Sequence, residues 1–164
     1  MVKLDSINRQ ILSILQKNSS ITNSDLSKRI GLAPATTLER VKKLELNGVI
    51  KGYVALVDQK KIGKAITAFI EISMKNHSAE SIKTFSKDIS LLPEVLECHH
   101  LAGDKDFLLK VVTEDIDSYR IFALDKLASI PGIGNVCTLF SLDTIKSSTA
   151  IPVDDIYINN GKDW

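Results

Sequence analysis

The second half of the chain repeats one pattern of strand, helix and strand, and this repeat restricts the possible folds more than any other feature of the sequence. Three residues of the first unit recur 37 positions later in the second unit: Ser81 as Ser118, Phe85 as Phe122 and Asp88 as Asp125. Two such units in succession give the order β-α-β-β-α-β. This order predicts a ferredoxin-like domain, in which a four-stranded antiparallel sheet carries both helices on one face.

Hydrophobic periodicity gives the extent of each element in this half. It predicts strands at 66–74, 95–101, 107–112 and 133–142, and helices at 78–92 and 116–130. Phe69, Leu108 and Val136 leave apolar side chains on both sides of the sheet. A second protomer that stacks its own sheet on the face without helices would cover them, so we expect a homodimer.

The first half of the chain has the periodicity of three short helices. Asp5 or Ser6 is the expected N-cap of the first helix, and Thr22 is that of the second. Gly31 supplies the turn after the second helix, and Pro34 fits the first turn of the third. Two helices joined by a short turn predict a helix-turn-helix module. Residues 49–57 then predict a strand or a small wing.

The third helix is the expected contact with nucleic acid. We expect it to bury Leu38, Val41 and Leu44. Its exposed polar residues are then Thr36, Thr37, Glu39, Arg40, Lys42 and Lys43. Residues at the start of such a helix meet base edges, and Arg40, Lys42 and Lys43 are placed to meet phosphates. A solvated surface helix is the alternative interpretation.

The distribution of charge favours the interpretation as a DNA-binding helix. Residues 1–64 hold 12 Lys and Arg against 5 Asp and Glu, a net charge of +7. Residues 65–164 hold 9 against 15, a net charge of −6. Because only the helical half is basic, we expect it to bind double-stranded DNA while the second half has another task.

The stretch HHLAGDKDF at 99–107 brings two histidines and two aspartates together. Adjacent residues of a strand point to opposite faces, so His99 and His100 cannot join one metal site. Cys98 and Cys137 have no partners at metal-ligand spacing, and each is expected to be a small buried hydrophobic residue. The sequence therefore predicts no metal and no cofactor.

Catalysis and membrane insertion are not expected either. The chain shows no nucleophile with its base, no paired catalytic carboxylates and no phosphate-binding glycine loop, so we expect no catalytic residues. No apolar run approaches the roughly 18 residues of a membrane span. The first residues lack the apolar core of a signal peptide, and the expected location is the cytoplasm, with no membrane partner.

Motifs from both halves occur in an order that resembles one protein family. They are LDSINRQIL and DLSKRIGLAPATTLERVKKLELNGVIKGY in the first half, and LECHHLAGDKDFLLKV and IPGIGNV in the second. Over residues 4–148 the chain resembles the Lrp/AsnC (leucine-responsive, feast/famine) transcriptional regulators. The resemblance implies an α+β protein with an N-terminal winged helix-turn-helix of three helices, followed by a ferredoxin-like βαββαβ domain.

The family resemblance also implies an effector and an assembly. Dimers of such regulators assemble into octamers, and small effectors, usually amino acids, bind in clefts between dimers. By position, one side of the cleft is lined by Leu101, Ala102, Gly103, Asp104 and Asp106, and the rest by Ile116, Val136, Thr138, Phe140 and Ser141. Asp106 is the expected ligand of the effector's ammonium group, and backbone N–H groups near Gly103 suit its carboxylate.

Three positions depart from the pattern of the family. Ala33 stands where a serine N-cap is common, Val136 replaces a common threonine, and Phe140 is bulkier than the usual aliphatic residue. A response to leucine therefore does not follow from the resemblance.

The expected domains are a DNA-binding module at 1–57, a linker at 58–64, an effector-binding and oligomerisation domain at 65–150, and a tail at 151–164 with no assigned role. Two other functions stay open at this point. One is a chromatin-like architectural DNA-binding protein without an effector, and the other is a metabolic enzyme with a ferredoxin-like fold.

Overall fold

A computed structural model describes residues 4–153 of the chain. Its helices and strands are α1 (Ser6–Lys17), α2 (Asn23–Ile30), α3 (Pro34–Leu46), β1 (Ile66–Met74), α4 (Ala79–Ile89), β2 (Val95–His100), β3 (Phe107–Thr113), α5 (Ile116–Ile121) and β4 (Ile133–Phe140). Three helices followed by β-α-β-β-α-β confirm the predicted α+β class. None of the helices in this described range is long and apolar enough to cross a membrane.

The first two helices begin where their capping residues predict. The Asn8 backbone N–H donates to Asp5 Oδ1 at 2.7 Å, which makes Asp5 the N-cap of α1. The Asp25 N–H donates to Thr22 Oγ1 in the same way. Gly31 ends α2 with a φ of +69°, a conformation that costs little for a residue without Cβ. The core between the three helices contains Ile11, Leu12, Leu26, Ile30 and Leu44.

The buried stripe of α3 differs from the expected one by a single residue. Leu38 was expected inside but is 44% exposed, whereas Thr37 is fully buried. Positions 37, 41 and 44 follow the helical spacing as well as 38, 41 and 44 do, and one residue turns a helix by about 100°. The periodicity alone therefore could not choose between Thr37 and Leu38.

Residues 49–57 do not form the predicted strand or wing. They pair with no strand in the described range, and a strand needs a backbone partner. Val54 and Leu56 are largely exposed. The Tyr53 hydroxyl donates to Glu45 Oε1 at 2.8 Å, and burial together with this carboxylate raises the pKa of Tyr53 to about 12. Tyr53 thereby fastens the segment to the end of α3.

The second half forms one antiparallel sheet in the strand order β2-β3-β1-β4. Alternate residues of β1, which include Ile70 and Ile72, are fully buried against α4 and α5. Phe85 and Phe122 occupy the equivalent core positions of the two helices. Their N-caps, Ser78 and Asp115, are also 37 positions apart. The internal repeat in the sequence is therefore a repeat in the structure, and the ferredoxin-like prediction is confirmed.

The helix predicted at 116–130 changes its winding in the middle. After α5, residues Phe122–Leu127 form a π-helical turn. The Ala128 N–H donates to the carbonyl of Ala123, five residues earlier, as π-helical winding requires. This wider turn keeps Phe122 and Leu127 together in the core, each about 1% exposed. The helix predicted at 116–130 is therefore helical to Leu127, with a change of winding at Phe122 that the periodicity did not predict.

The sheet face without helices is partly apolar. Phe69 pairs with Lys110 on β3 and with Leu139 on β4, so these three side chains lie on that face. Leu139 is 51% exposed, and Leu108 on the same face is half-buried. We call this surface, with Phe69, Leu108 and Leu139 as its apolar residues, the open sheet face.

Both cysteines are exposed, which corrects the expectation that they are buried. Cys98 lies on β2 and Cys137 on β4. These are the two edge strands of the sheet, where neighbouring elements cover side chains less well than they do in the centre.

The chain divides into two compact units at boundaries that differ from the expected ones. Residues 4–55 group with 146–153, and residues 56–145 form the other unit. The Gln16 side-chain amide donates to the Ile151 carbonyl at 2.9 Å and accepts from its N–H at 2.7 Å. Gln59 in the expected linker bonds Thr67 of β1. The start of the tail thus joins the helical unit, the linker joins the sheet unit, and 154–164 lie outside the described residues.

Candidate nucleic-acid interface and ligand site

The outer face of α3 presents two lysines and two polar side chains. Thr36, Glu39, Lys42 and Lys43 are all exposed. Lys43 Nζ lies 2.7 Å from Glu39 Oε1, and this contact holds the pKa of Glu39 below its usual value. An ion pair between exposed residues one helical turn apart is weak. Glu39 and Lys43 can therefore separate and each bind another partner. The cations can then meet phosphates, and the Glu39 carboxylate can accept from a cytosine amine.

Arg40 lies on the same helix but is engaged with α1. Its Nη1 donates to Asp5 Oδ2 at 2.6 Å and to Asn8 Oδ1 at 3.0 Å. Its side chain is 32% exposed. The hydrogen bonds join the start of α1 to the middle of α3. In this arrangement Arg40 positions the outer face of α3, and its contact with a phosphate stays a prediction.

Thr37 is not on the outer face, which corrects its expected exposure. The side chain is fully buried, and its Oγ1 donates to the Ala33 carbonyl at 3.1 Å. A hydroxyl that is satisfied inside the core between the helices cannot reach a base edge from this position. Leu38 is exposed in its place.

The hairpin tip between β2 and β3, residues 101–106, is held by Asp106. The Asp106 N–H donates to the Ile72 carbonyl, and its own carbonyl accepts from the Leu101 N–H at 2.8 Å. Its carboxylate accepts from the Met74 N–H at 2.7 Å through Oδ2 and lies 3.1 Å from His77 Nδ1 through Oδ1. The tip residues Leu101, Ala102, Gly103 and Asp104 are exposed, whereas Asp106 is half-buried. The residues expected on one side of the cleft are therefore close together.

Most of the second set of expected effector residues lies around Tyr119 or at the end of β4. Thr138 Oγ1 is 2.5 Å from the Tyr119 hydroxyl, and the ring of Phe140 packs edge-on against the Tyr119 ring at 4.8 Å. Ile116 opens α5 and is exposed, and the Ser141 N–H donates to the Thr67 carbonyl. Tyr119 lies in the helix predicted at 116–130, and no motif in the sequence distinguished its hydroxyl.

One chain does not bring the two sets together. The tip precedes Phe107, which pairs with Ile72, whereas Ile116 follows Thr113, which pairs with Ile66. Six residues of strand separate these two ends, about 20 Å at the usual rise per residue. Val136 is nearer the tip end in register, opposite Ile72, but it lies on the far edge strand β4. The hairpin tip and Ile116 are therefore too far apart along one chain to contact the same small ligand.

The two adjacent histidines point to opposite faces of β2, as predicted. His99 pairs with Leu108 on the open sheet face, and His100 pairs with Phe107 on the helix side. The His100 and Phe107 rings stack with centroids 4.8 Å apart. Within residues 4–153, no group of three or more His, Cys, Asp or Glu residues is placed to hold a metal ion.

Family models assign the two units to a DNA-binding protein with a second, ligand-binding domain. Residues 4–51 match the winged helix-turn-helix DNA-binding model, and residues 67–151 match the Lrp/AsnC ligand binding domain. The chain belongs to the Lrp/AsnC family of transcriptional regulators.

Individual relatives cover nearly the whole chain. It is 39% identical to the transcriptional regulator AzlB of Bacillus subtilis, over 94% of this chain and 99% of that protein. It is 36% identical to the leucine-responsive regulatory protein of Escherichia coli, over 92% of each chain. A crystal structure of a Neisseria meningitidis transcriptional regulator in complex with L-methionine matches with a TM-score of 0.88 and 34% identity, covering 93% of this chain and 98% of that one. The relatives are regulators, which excludes the alternative of a metabolic enzyme.

Proposed function

We propose that this regulator binds an amino acid between subunits and that the bound amino acid changes how its dimers, or the octamers they form, hold DNA. The separation of the two sets of effector residues along the sheet supports this more than any other observation. The hairpin tip and Ile116, about 20 Å apart along one chain, can contact one small ligand only where subunits meet. The related structure from Neisseria meningitidis, which holds L-methionine, supports an amino acid as the effector class.

DNA binding is assigned to the outer face of α3. In a dimer, two such helices enter successive major grooves about 34 Å apart. Thr36 and Glu39 face the bases, and Lys42 and Lys43 neutralise phosphates. Because each phosphate contact releases counterions, affinity falls steeply with salt, and removal of Lys42 lowers both the affinity and its salt dependence.

Dimerisation is assigned to the open sheet face. Stacking two such faces buries Phe69, Leu108 and Leu139 and completes a two-layer sheet packing. The same face repeats on both copies, as an interface with twofold symmetry requires. Further contact between dimers through the hairpin tips then gives the octamer.

The effector acts through assembly in this proposal. A ligand shifts an equilibrium only by its difference in affinity between two states. A pocket made by the tip of one subunit and the Thr138 region of another exists in the assembled state alone. The bound amino acid therefore stabilises that assembly and with it one spacing of the DNA-binding helices.

The test is a calorimetric titration of the protein with each standard L-amino acid, followed by sedimentation velocity with and without those that bind. We expect at least one amino acid to bind and to change the distribution of assemblies. Binding to none of them, with DNA binding intact, would instead support an architectural DNA-binding protein without an effector.

A further inference from the structure

Asp106, the expected ligand of the effector's ammonium group, already has a partner on each carboxylate oxygen. Oδ2 accepts from the Met74 backbone N–H at 2.7 Å, and Oδ1 lies 3.1 Å from His77 Nδ1. The side chain of Asp106 is only 19% exposed. An ammonium group that binds this carboxylate must therefore displace a group that already contacts it or share an oxygen with that group.

The two partners of Asp106 differ in how easily they can leave. The Met74 N–H belongs to the last residue of β1, and the bulge between Ser73 and Met74 lies at this point. Removing this donor means breaking the end of the strand. His77 lies on the connection between β1 and α4, and its side chain is 69% exposed. Rotation of the imidazole into solvent is enough to free Oδ1.

We propose that His77 occupies the position of the effector's ammonium group and must leave Asp106 Oδ1 before an amino acid binds. His77 then lowers the affinity of the site, because every binding event includes the loss of its contact with Asp106. This inference rests on the proposed function, since it takes Asp106 as the ammonium ligand.

The size of the effect follows from the exposure of His77, whose side chain is 69% exposed although that of Asp106 is 19% exposed. Pairs with one well-exposed partner contribute little to stability, because water solvates the imidazole once it leaves the carboxylate. Removing the competing imidazole therefore strengthens binding by about two- to fivefold, since the measured strength of such pairs corresponds to factors of that size. A larger increase in affinity would mean that His77 affects the site in another way besides its contact with Asp106 Oδ1.

The test compares His77→Ala with the wild-type protein in calorimetric titrations with every standard L-amino acid. L-methionine is also compared with the carboxylic acid that lacks its amino group. We expect His77→Ala to bind L-methionine, or whichever amino acid the wild type binds, about two- to fivefold more tightly. The acid without an amino group does not compete with His77 for Asp106. Its affinity should therefore be the same for both proteins. If His77→Ala instead loosened the hairpin tip, the variant would bind both ligands more weakly than the wild-type protein does.

Lys28→Ala is the matched control. Lys28 is also an exposed basic side chain beside a carboxylate, 3.6 Å from Asp25 on α2, and it lies in the helix-turn-helix unit. Its removal leaves amino-acid affinity unchanged.

The outcomes separate this inference from the proposed function. If the wild type binds an amino acid and His77→Ala binds it equally or more weakly, the role of His77 is wrong while the proposed function stands. If only His77→Ala binds an amino acid, both are supported. If neither protein binds any amino acid, both are wrong.

Discussion

Asp5 has two functions at the start of α1. It caps the helix by accepting from the Asn8 N–H, and it accepts from Arg40 of α3. The hydrogen bond from the Asn8 backbone, and then that from Arg40, hold the pKa of Asp5 below its usual value. The charged form of Asp5 is thus more favourable in the folded protein than in the unfolded chain, which links stability to pH.

We expect Asp5→Asn to reveal this link, because asparagine keeps the cap but removes the charge. Since the folded pKa of Asp5 is lowered, its stabilisation is present above the unfolded value of about 3.9 and is lost as pH falls through the folded value. The side chain of Asp5 is half exposed, so the variant loses no more than about 1 kcal/mol at pH 7. Urea unfolding from pH 7 to about pH 2.5 should show the two proteins converge. A difference independent of pH would contradict this explanation.

The repeated phenylalanines give a second prediction at this scale. Phe85 of α4 and Phe122, at the start of the π-helical turn after α5, are each 1% exposed or less and are equivalent in the internal repeat. Each change to alanine should cost about 3–5 kcal/mol of unfolding free energy in denaturant titrations. Leu91→Ala, at a residue 71% exposed, is the control and should cost under about 0.5 kcal/mol. Unequal losses of unfolding free energy in the two variants would mean that the equivalent phenylalanines do not contribute equally to stability.

Among the elements, α3 is the helix whose start can be improved. Ala33 occupies its N-cap in an extended conformation, is exposed and makes no side-chain cap hydrogen bond. A serine there can accept from a free N–H of the first turn.

We expect Ala33→Ser to stabilise the helix-turn-helix unit by about 1 kcal/mol, measured as a rise in its thermal unfolding temperature. Ala35→Ser places the same side chain inside the helix, where serine is less favourable than alanine, and should lower that temperature slightly. Equal effects of the two changes would exclude capping as the cause.

The sequence predicted the elements that depend on local signals. Thr22, Gly31 and Pro34 act through their own backbone or side chain, so the limits of α2 and the start of α3 could be read directly. The errors have another origin. The choice between Thr37 and Leu38 depends on how α3 packs, and the π-helical turn after α5 depends on the fit of Phe122 and Leu127 to the sheet. Such tertiary contacts override local propensity.

For the whole molecule, the open sheet face predicts the assembly. Leu139 lies on this face and is 51% exposed. Leu139→Lys places a charge in the proposed interface between two sheets and should shift dimers toward monomers in sedimentation equilibrium.

Leu124→Lys is the control for the dimer prediction. Leu124 is 62% exposed in the π-helical turn, on the opposite side of the domain from the open sheet face. This change should leave the dimer intact. Dissociation by Leu124→Lys alone would move the interface to the helical layer.

The candidate sites could be predicted only in part, because some of their residues come together only through tertiary contacts. The exposed face of α3 follows from charge and spacing within one helix. The effector site does not, because its residues come from the hairpin tip, from the start of α5 and from β4, and no local pattern joins them. His77 and Tyr119 were not singled out, since their contacts with Asp106 and Thr138 exist only after folding.

Control of DNA binding by an amino acid can be measured in a fluorescence-anisotropy titration. The protein is titrated onto a fluorescent promoter fragment of its own gene, with and without each standard L-amino acid. Coupling between two sites of a regulator is typically about 1–3 kcal/mol, so we expect at least one amino acid to change the apparent Kd for DNA by about fivefold or more. An unchanged Kd with every amino acid would show that no amino acid controls DNA binding.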